Sequence, residues 1–309
     1  MPNKRGGITY GVKVAYGKDN LGNGRWVVGG LGSIIAHSPD GNTWTQAGNI
    51  SGFTVGRSVA YGKDGTGAGR WVVVGSGSTI SKMIVYSPDG NTWTDAATVG
   101  GLFSSAYGVA YGKDGLGAGL WVAVGQVGVI AKSTDGNVWT DTATVSGVAG
   151  KGGLTPAATD VAYGKDGTGA GRWVAVGQGG IIAHSPDGNT WTQAGNVGGL
   201  NIGRGVAYGK DGLGNGRWVA VGDGSIIAHS PDGNTWTAAA TVGGITTNSN
   251  HVAYGKDGLG NGRWVAVGDG SFIAHSPDGN NWYSAKTTGG VTYGSGVAFN
   301  RILYDGVDF

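Results

Sequence analysis

The chain has 309 residues, 68 of them glycine and none cysteine, with a formal net charge of +2. The missing cysteines exclude disulfides and thiolate metal sites. No lysine or arginine cluster is present, which excludes the field that drives nucleic-acid binding. No run approaches about 18 apolar residues, so no membrane insertion through a spanning helix is expected.

This much glycine is close to the composition of low-complexity disorder. However, 12 tryptophans and 12 tyrosines fall at regular intervals along the chain, which reads as a folded, turn-rich protein. All 19 acidic residues are aspartate, and the residues that favour helix are scarce, as in an all-β chain. The opening MPNKRGGITYG carries basic residues without the apolar core of a secretory signal.

Six tandem units follow in chain order. The first tryptophan of each unit is Trp26, Trp71, Trp121, Trp173, Trp218 and Trp264, at spacings of 45, 50, 52, 45 and 46 residues. The second is Trp44, Trp93, Trp139, Trp191, Trp236 and Trp282. Each unit contains four short β-like runs separated by Gly-rich turns. In the fifth unit the expected runs are Val206–Tyr208, Trp218–Val221, Ile226–Ser230 and Thr235–Thr237. Middle runs such as WVAV are apolar on both faces, which suits a sheet sandwiched between two others.

Four strands in about 46 residues, repeated six times, predict a single β-propeller domain over 1–309. A linear β-solenoid fits less well, because its coils are shorter and parallel. The first-strand pattern returns a seventh time as GVAFN at Gly296–Asn300, followed by the tail RILYDGVDF. The segment 296–309 is read as a closing strand and tail: overlapping terminal strands close the ring and cover its bare edges.

Every unit ends in a box of the form SPDGNTWT, with STDGNVWT and SPDGNNWY as worn copies. Its fixed residues are Asp40, Trp44, Asp89, Trp93, Asp135, Trp139, Asp187, Trp191, Asp232, Trp236, Asp278 and Trp282. The aspartate can accept turn amides, the following glycine permits positive φ, and the tryptophan can fill the space between blades. The box resembles the Asp-box, or bacterial neuraminidase repeat, with one residue fewer between Asp and Gly. The spaced tryptophans also resemble kelch blades. The resemblance implies a hairpin between third and fourth strands and specifies architecture more than activity.

Sialidases of the resembling family use an Arg cluster, an Asp and a Tyr activated by Glu. With no Glu here, that mechanism does not carry over. A glycoside hydrolase built on two Asp stays formally open. Twelve of the 19 Asp, however, belong to the boxes and to the KDG or KDN loops, and Asp160 alone lies in an unusual loop. Those loops, Lys18-Asp19 to Lys256-Asp257, faintly suggest a phosphate or calcium site. Each has one carboxylate and no P-loop helix, and reads as a hairpin tip. His37, His184, His229 and His275 share one slot on different blades, too far apart to converge on a metal. No enzyme activity, cofactor or metal is expected.

Comparison of the six copies separates two faces. The loops between strands 1–2 and 3–4 are nearly uniform, whereas those joining each unit to the next diverge. The divergent face is expected to display Arg57, Phe103, Tyr107, Asn201, Arg204, Asn248, Asn250, His251 and Tyr293. Aromatics with amides and arginine suit sugar stacking and hydroxyl recognition. The expected function is a non-enzymatic recognition or structural propeller that binds surface glycans. Its expected place is a virion (phage tail or fibre) or the cell exterior, with neighbouring assembly subunits as possible partners. The alternatives are a multivalent soluble lectin with sites between blades, a glycoside hydrolase, and an assembly factor similar to the propellers that help build photosystem II.

Overall fold

The computed structural model describes residues 11–48, 50, 52–101, 105–142, 144–146, 157–243, 245–270, 272–286 and 293–299. Each repeat folds as an antiparallel sheet whose strands pair in chain order, and six such sheets surround a central channel to form a six-bladed β-propeller. The inner strands are Gly11–Lys18, Phe53–Lys63, Ala106–Lys113, Ala158–Lys165, Gly203–Lys210 and Ser249–Lys256. Apart from these sheets, the described elements include one 3-10 turn, Ile80–Lys82.

Three blades carry a fifth strand. Thr144–Ser146, Asn196–Val197 and Thr241–Val242 leave one blade and pair in parallel with the outer strand of the next. The chain thus laces neighbouring blades together at their outer edge. The inner strands are longer than the sequence pattern suggested: Gly203–Lys210 replaces the expected Val206–Tyr208. The added residues are largely glycines, which weaken a strand unless another group approaches closely.

That close approach holds the ring. In blades two to six the inner-strand tyrosine lies on a glycine of the preceding blade, and Gly255 of blade six meets Phe299 instead. A Cβ at Gly62, Gly112, Gly164 or Gly209 would sit 2.2 Å from the ring of Tyr111, Tyr163, Tyr208 or Tyr254, respectively. The same tyrosine packs on its own blade's first tryptophan, with ring centroids 4.9 Å apart for Tyr163 and Trp173. That tryptophan is fully buried in five blades. In blades three to six its indole N–H reaches the preceding blade, as in Trp173 donating to the Lys113 carbonyl at 2.9 Å.

Apolar faces complete each interface. Val122, Val124 and Ile130 of the third blade cover Trp173, Ala175, Ala183 and Trp191 of the fourth. This pattern recurs between the other consecutive blades. Truncating one such tryptophan costs roughly 3–5 kcal/mol.

The C-terminal segment 293–299 stands between blades six and one and lines the channel with the six inner strands. It closes the inner ring there, while 300–309 lies outside the described residues.

The Gly–Tyr contact is testable by adding one methyl group. Gly112→Ala drives a Cβ into Tyr163 and should cost about 1–3 kcal/mol. Gly258→Ala meets nothing within 4 Å and should stay within about 0.5 kcal/mol of the parent. Urea unfolding of both variants measures the difference.

Candidate functional site

The boxes are internally saturated. Ser38 donates its hydroxyl to Asp40 Oδ1 at 2.9 Å, and the same oxygen accepts the Asn42 and Thr43 amides at 2.8 Å. Gly41 takes φ +73°, and its carbonyl accepts the Trp44 indole N–H at 3.1 Å. The carboxylate pattern recurs at Asp89, Asp135, Asp187, Asp232 and Asp278, and the indole bond in all of these boxes but that of Trp93. Burial raises the Asp278 pKa, but hydrogen bonds led by the Asn281 amide outweigh it and hold the carboxyl at about 2. A carboxylate so occupied is a poor general acid.

The KDG loops are turns of the same kind. Asp64 Oδ1 accepts the amides of Thr66 and Ala68, while its other oxygen faces Arg70 at 3.4 Å. Asp166 with Arg172 and Asp257 with Arg263 repeat the pair at 3.3 and 3.2 Å. The shared histidine slot fastens blades. His37 contacts Arg25 of its own blade at 3.3 Å and Asn91 of the next box at 3.2 Å, and His184 does the same with Arg172 and Asn234. Lys132 fills the slot by donating to Asn189 at 2.6 Å.

The divergent face is organised by a feature hidden from residue patterns. Every inner strand carries a β-bulge at an equivalent position, where its pairing with the second strand skips a residue, and Phe53–Lys63 carries another at Thr54. At the equivalent position the skipped residues are Val12, Arg57, Tyr107, Thr159, Arg204 and Asn250. A bulge locally bends the strand and re-aims a side chain, and bulges collect near binding sites. Here six of them put one non-repeated side chain per blade around the channel mouth. Four of the six, Arg57, Tyr107, Arg204 and Asn250, belong to the set expected from sequence.

Neighbouring mouth residues interact. The Arg57 guanidinium lies over the Tyr107 ring at 5.0 Å, and its Nε is buried without a hydrogen-bond partner. Arg204 pairs with Asp223, and that hydrogen bond, with added attraction from Asp269 and Tyr293, raises its pKa further. Asn250 donates to Asp269 at 2.7 Å and to the Gly294 carbonyl at 3.1 Å, and Asn248 donates to the other oxygen of Asp269 at 3.2 Å. Thr159 donates toward the Gly203 carbonyl of the next blade at 2.5 Å. Asn201 and Tyr293 are exposed around this rim. Phe103 lies outside the described residues.

One step deeper, the residues after the bulges form a collar: Lys13, Ser58, Gly108, Asp160, Gly205 and His251. Lys13 of the first blade crosses to Asp160 of the fourth at 2.5 Å. Asp160 also accepts the amides of Val161 at 2.9 Å and Val206 at 3.1 Å. The sequence placed Asp160 in a loop, but it sits on an inner strand with its carboxylate oxygens occupied by these groups. His251, expected on the divergent face, is held inside the channel, where its Nδ1 accepts the Val297 amide at 3.3 Å. Protein surrounds the ring, so burial first, and the Lys13 charge second, lower its pKa to about 3. The channel encloses a cavity of about 200 Å³.

The sequence reading missed Lys13, Thr159, Asp223 and Asp269 as members of this region. For Lys13 and Thr159 a signal was available as a pair of columns: the two residues before V-A-Y in each inner strand vary while V-A-Y itself repeats. Among the described residues, no cluster of three potential ligands could hold a metal ion.

No family model matches the chain, and no curated protein matches it in sequence. Its fold is similar to those of solved structures that include the following three. YCF48 bound to D1 peptide shares 16% identity and a TM-score of 0.58, over 93% of this chain and 84% of that one. U3-55K shares 11% identity and a TM-score of 0.62, over 91% and 82%. The GH74 enzyme of Niastella koreensis shares 16% identity and a TM-score of 0.58, over 91% of this chain and 38% of that one. At such identities the likeness shows the propeller fold alone.

The low pKa of His251 has a consequence for stability. In the folded state the ring stays neutral down to about pH 3, whereas in the unfolded chain it takes a proton near 6.5. Between these values the unfolded state binds more protons, so stability should fall as pH drops from 6.5 toward 3. His37, His184, His229 and His275 shift in the same direction. The box carboxylates add their loss only below about 3.8. Denaturation of wild type and His251→Asn from pH 7 to 4.5 should give a shallower slope for the variant; equal slopes would contradict the assignment.

Proposed function

We propose that this protein is a non-enzymatic recognition propeller whose mouth binds a segment of another polypeptide. The observation that carries the reading is the ring of bulged residues. A scaffold that repeats nearly everywhere varies where its geometry re-aims side chains, and what varies is chemically rich. Arg57 and Arg204 offer cations, Asp223 and Asp269 offer carboxylates, and Asn248, Asn250 and Asn201 offer amides that both donate and accept. A peptide backbone with mixed side chains engages all of these groups.

The glycan suggested by the sequence suits this mouth less well. Sugar recognition wants an open aromatic face, and the Arg57 guanidinium lies over that of Tyr107. Hydrolysis also finds little support, because the box and loop aspartates are tied into turns and Asp160 into the collar. YCF48, which shares the fold, was solved with a peptide bound, so a propeller of this architecture is compatible with peptide capture. Display on an assembly, a virion among the options, fits this reading, with the constant face serving as the rigid support.

Selection of a displayed random peptide library against the protein, beside a glycan array probed with the same preparation, tests the proposal. Peptides should be enriched, and Arg57→Ala/Arg204→Ala should weaken their binding at least tenfold, about 1.4 kcal/mol. Glycan binding without peptide enrichment, or peptide binding unaffected by the double substitution, would overturn it.

A further inference from the structure

The channel has seven seats. Its wall contains the six inner strands and, between blades six and one, the segment Val297–Phe299. That segment is in register on both sides. Phe299 lies on Gly255 as Tyr254 lies on Gly209, with built Cβ distances of 2.1 and 2.2 Å. Gly296 abuts Lys13 Cα as Gly205 abuts His251 Cα, each at 3.1 Å. Upstream, Tyr293 bridges to Asp269, as Ala157 bridges to Gln126 in the fourth blade. These are the contacts of an inner strand that opens a blade.

Among the described residues, no further strand of such a blade stands beside it. Every other inner strand pairs with a second strand, whereas 296–299 enters no strand pair among the described residues. The two walls register the gap. On blade six, Val265 and Ile273 are half-buried, although the equivalent valines are 0% exposed and the equivalent isoleucines at most 2%. On blade one, Trp26 and Trp44 are half-buried, although the equivalents of Trp26 are 0% exposed. The uncovered residues are thus those that meet a neighbour at the five filled interfaces.

We infer that this slot is a docking site for β-strands supplied by another polypeptide, which complete a seventh blade by strand addition. The five filled interfaces define the required chemistry. The incoming second strand is apolar on both faces and carries an aromatic residue that packs on Phe299, as Trp264 packs on Tyr254 at 4.9 Å. One face meets Val265 and Ile273, and the other meets Trp26 and Trp44. The incoming sheet also brings an amide to His275, whose counterparts His37 and His184 reach asparagine in the next blade. Pairing with 296–299 gives that segment the strand partner it lacks among the described residues, and burial of the walls adds the apolar gain.

The chain itself provides a probe. A labelled peptide spanning residues 216–238 contains strands two to four of the fifth blade. Added to the full-length protein, it should bind saturably at one to one and raise the melting temperature. Val265→Lys/Ile273→Lys, whose circular dichroism should match the parent's, should weaken that binding at least tenfold. Absence of saturable binding, the result if the protein's own remaining residues fill the slot, would overturn the inference. So would binding insensitive to the double substitution. A wild-type dimer that the same substitution dissociates would assign the slot to a second copy and overturn it equally.

Discussion

The ring rests on one contact, the placement of an inner-strand tyrosine on a glycine of the blade before it, made at the five interfaces between consecutive blades. The ring atoms come so near the glycine Cα that no side chain fits between them. This closeness lets the tyrosine also press on its own tryptophan, and lets that tryptophan reach a carbonyl of the preceding blade. Burial of a ring that size, with its polar atom satisfied in blades three to six, is what makes a sheet of short strands stable. The outer fasteners, namely the boxes and the histidine–asparagine links, then fix the angle between blades.

Division of labour follows from where this contact sits. Tyrosine, glycine, tryptophan and box all lie toward one end of the channel or along the blade faces, and all repeat. Toward the other end, the bulge frees one residue per blade from pairing. Variation there does not disturb the packing below. The collar separates the two zones: Lys13 and Asp160 close on each other across the channel, and neutral His251 caps the segment that completes the inner ring. A binding surface can thus diversify on a fixed frame.

Much of this was legible in the sequence because repetition turns one chain into six comparisons. The two tryptophan series fixed the number of blades, and Asp40 with Gly41 announced a hairpin turn that the backbone adopts. The role of SPDGNTWT as a fastener could be read from its uniformity. Less legible was anything that depends on pairing register. A bulge leaves no residue signature of its own, since Val12, Arg57 and Asn250 share no chemistry. Arg204 and Tyr107 were therefore found as loop variation, while Thr159 beside them was passed over. Sequence alone puts His251 on the divergent face and Asp160 in a loop, because the strand continues further than its glycines suggest. The Tyr-on-Gly contact was equally hidden, because it joins residues some 46 positions apart and only the ring brings them together.

The claim that the frame and the binding surface are separate can be measured directly by a stability scan in which each bulge residue and each box aspartate is replaced by alanine. The account predicts two populations. Alanine at Arg57, Tyr107 and Arg204 should leave unfolding free energies within about 1 kcal/mol of wild type, whereas alanine at Asp89, Asp135, Asp187 or Asp232 should cost clearly more. If the bulge residues prove as costly as the boxes, they are structural, and the mouth is not a surface free to specialise.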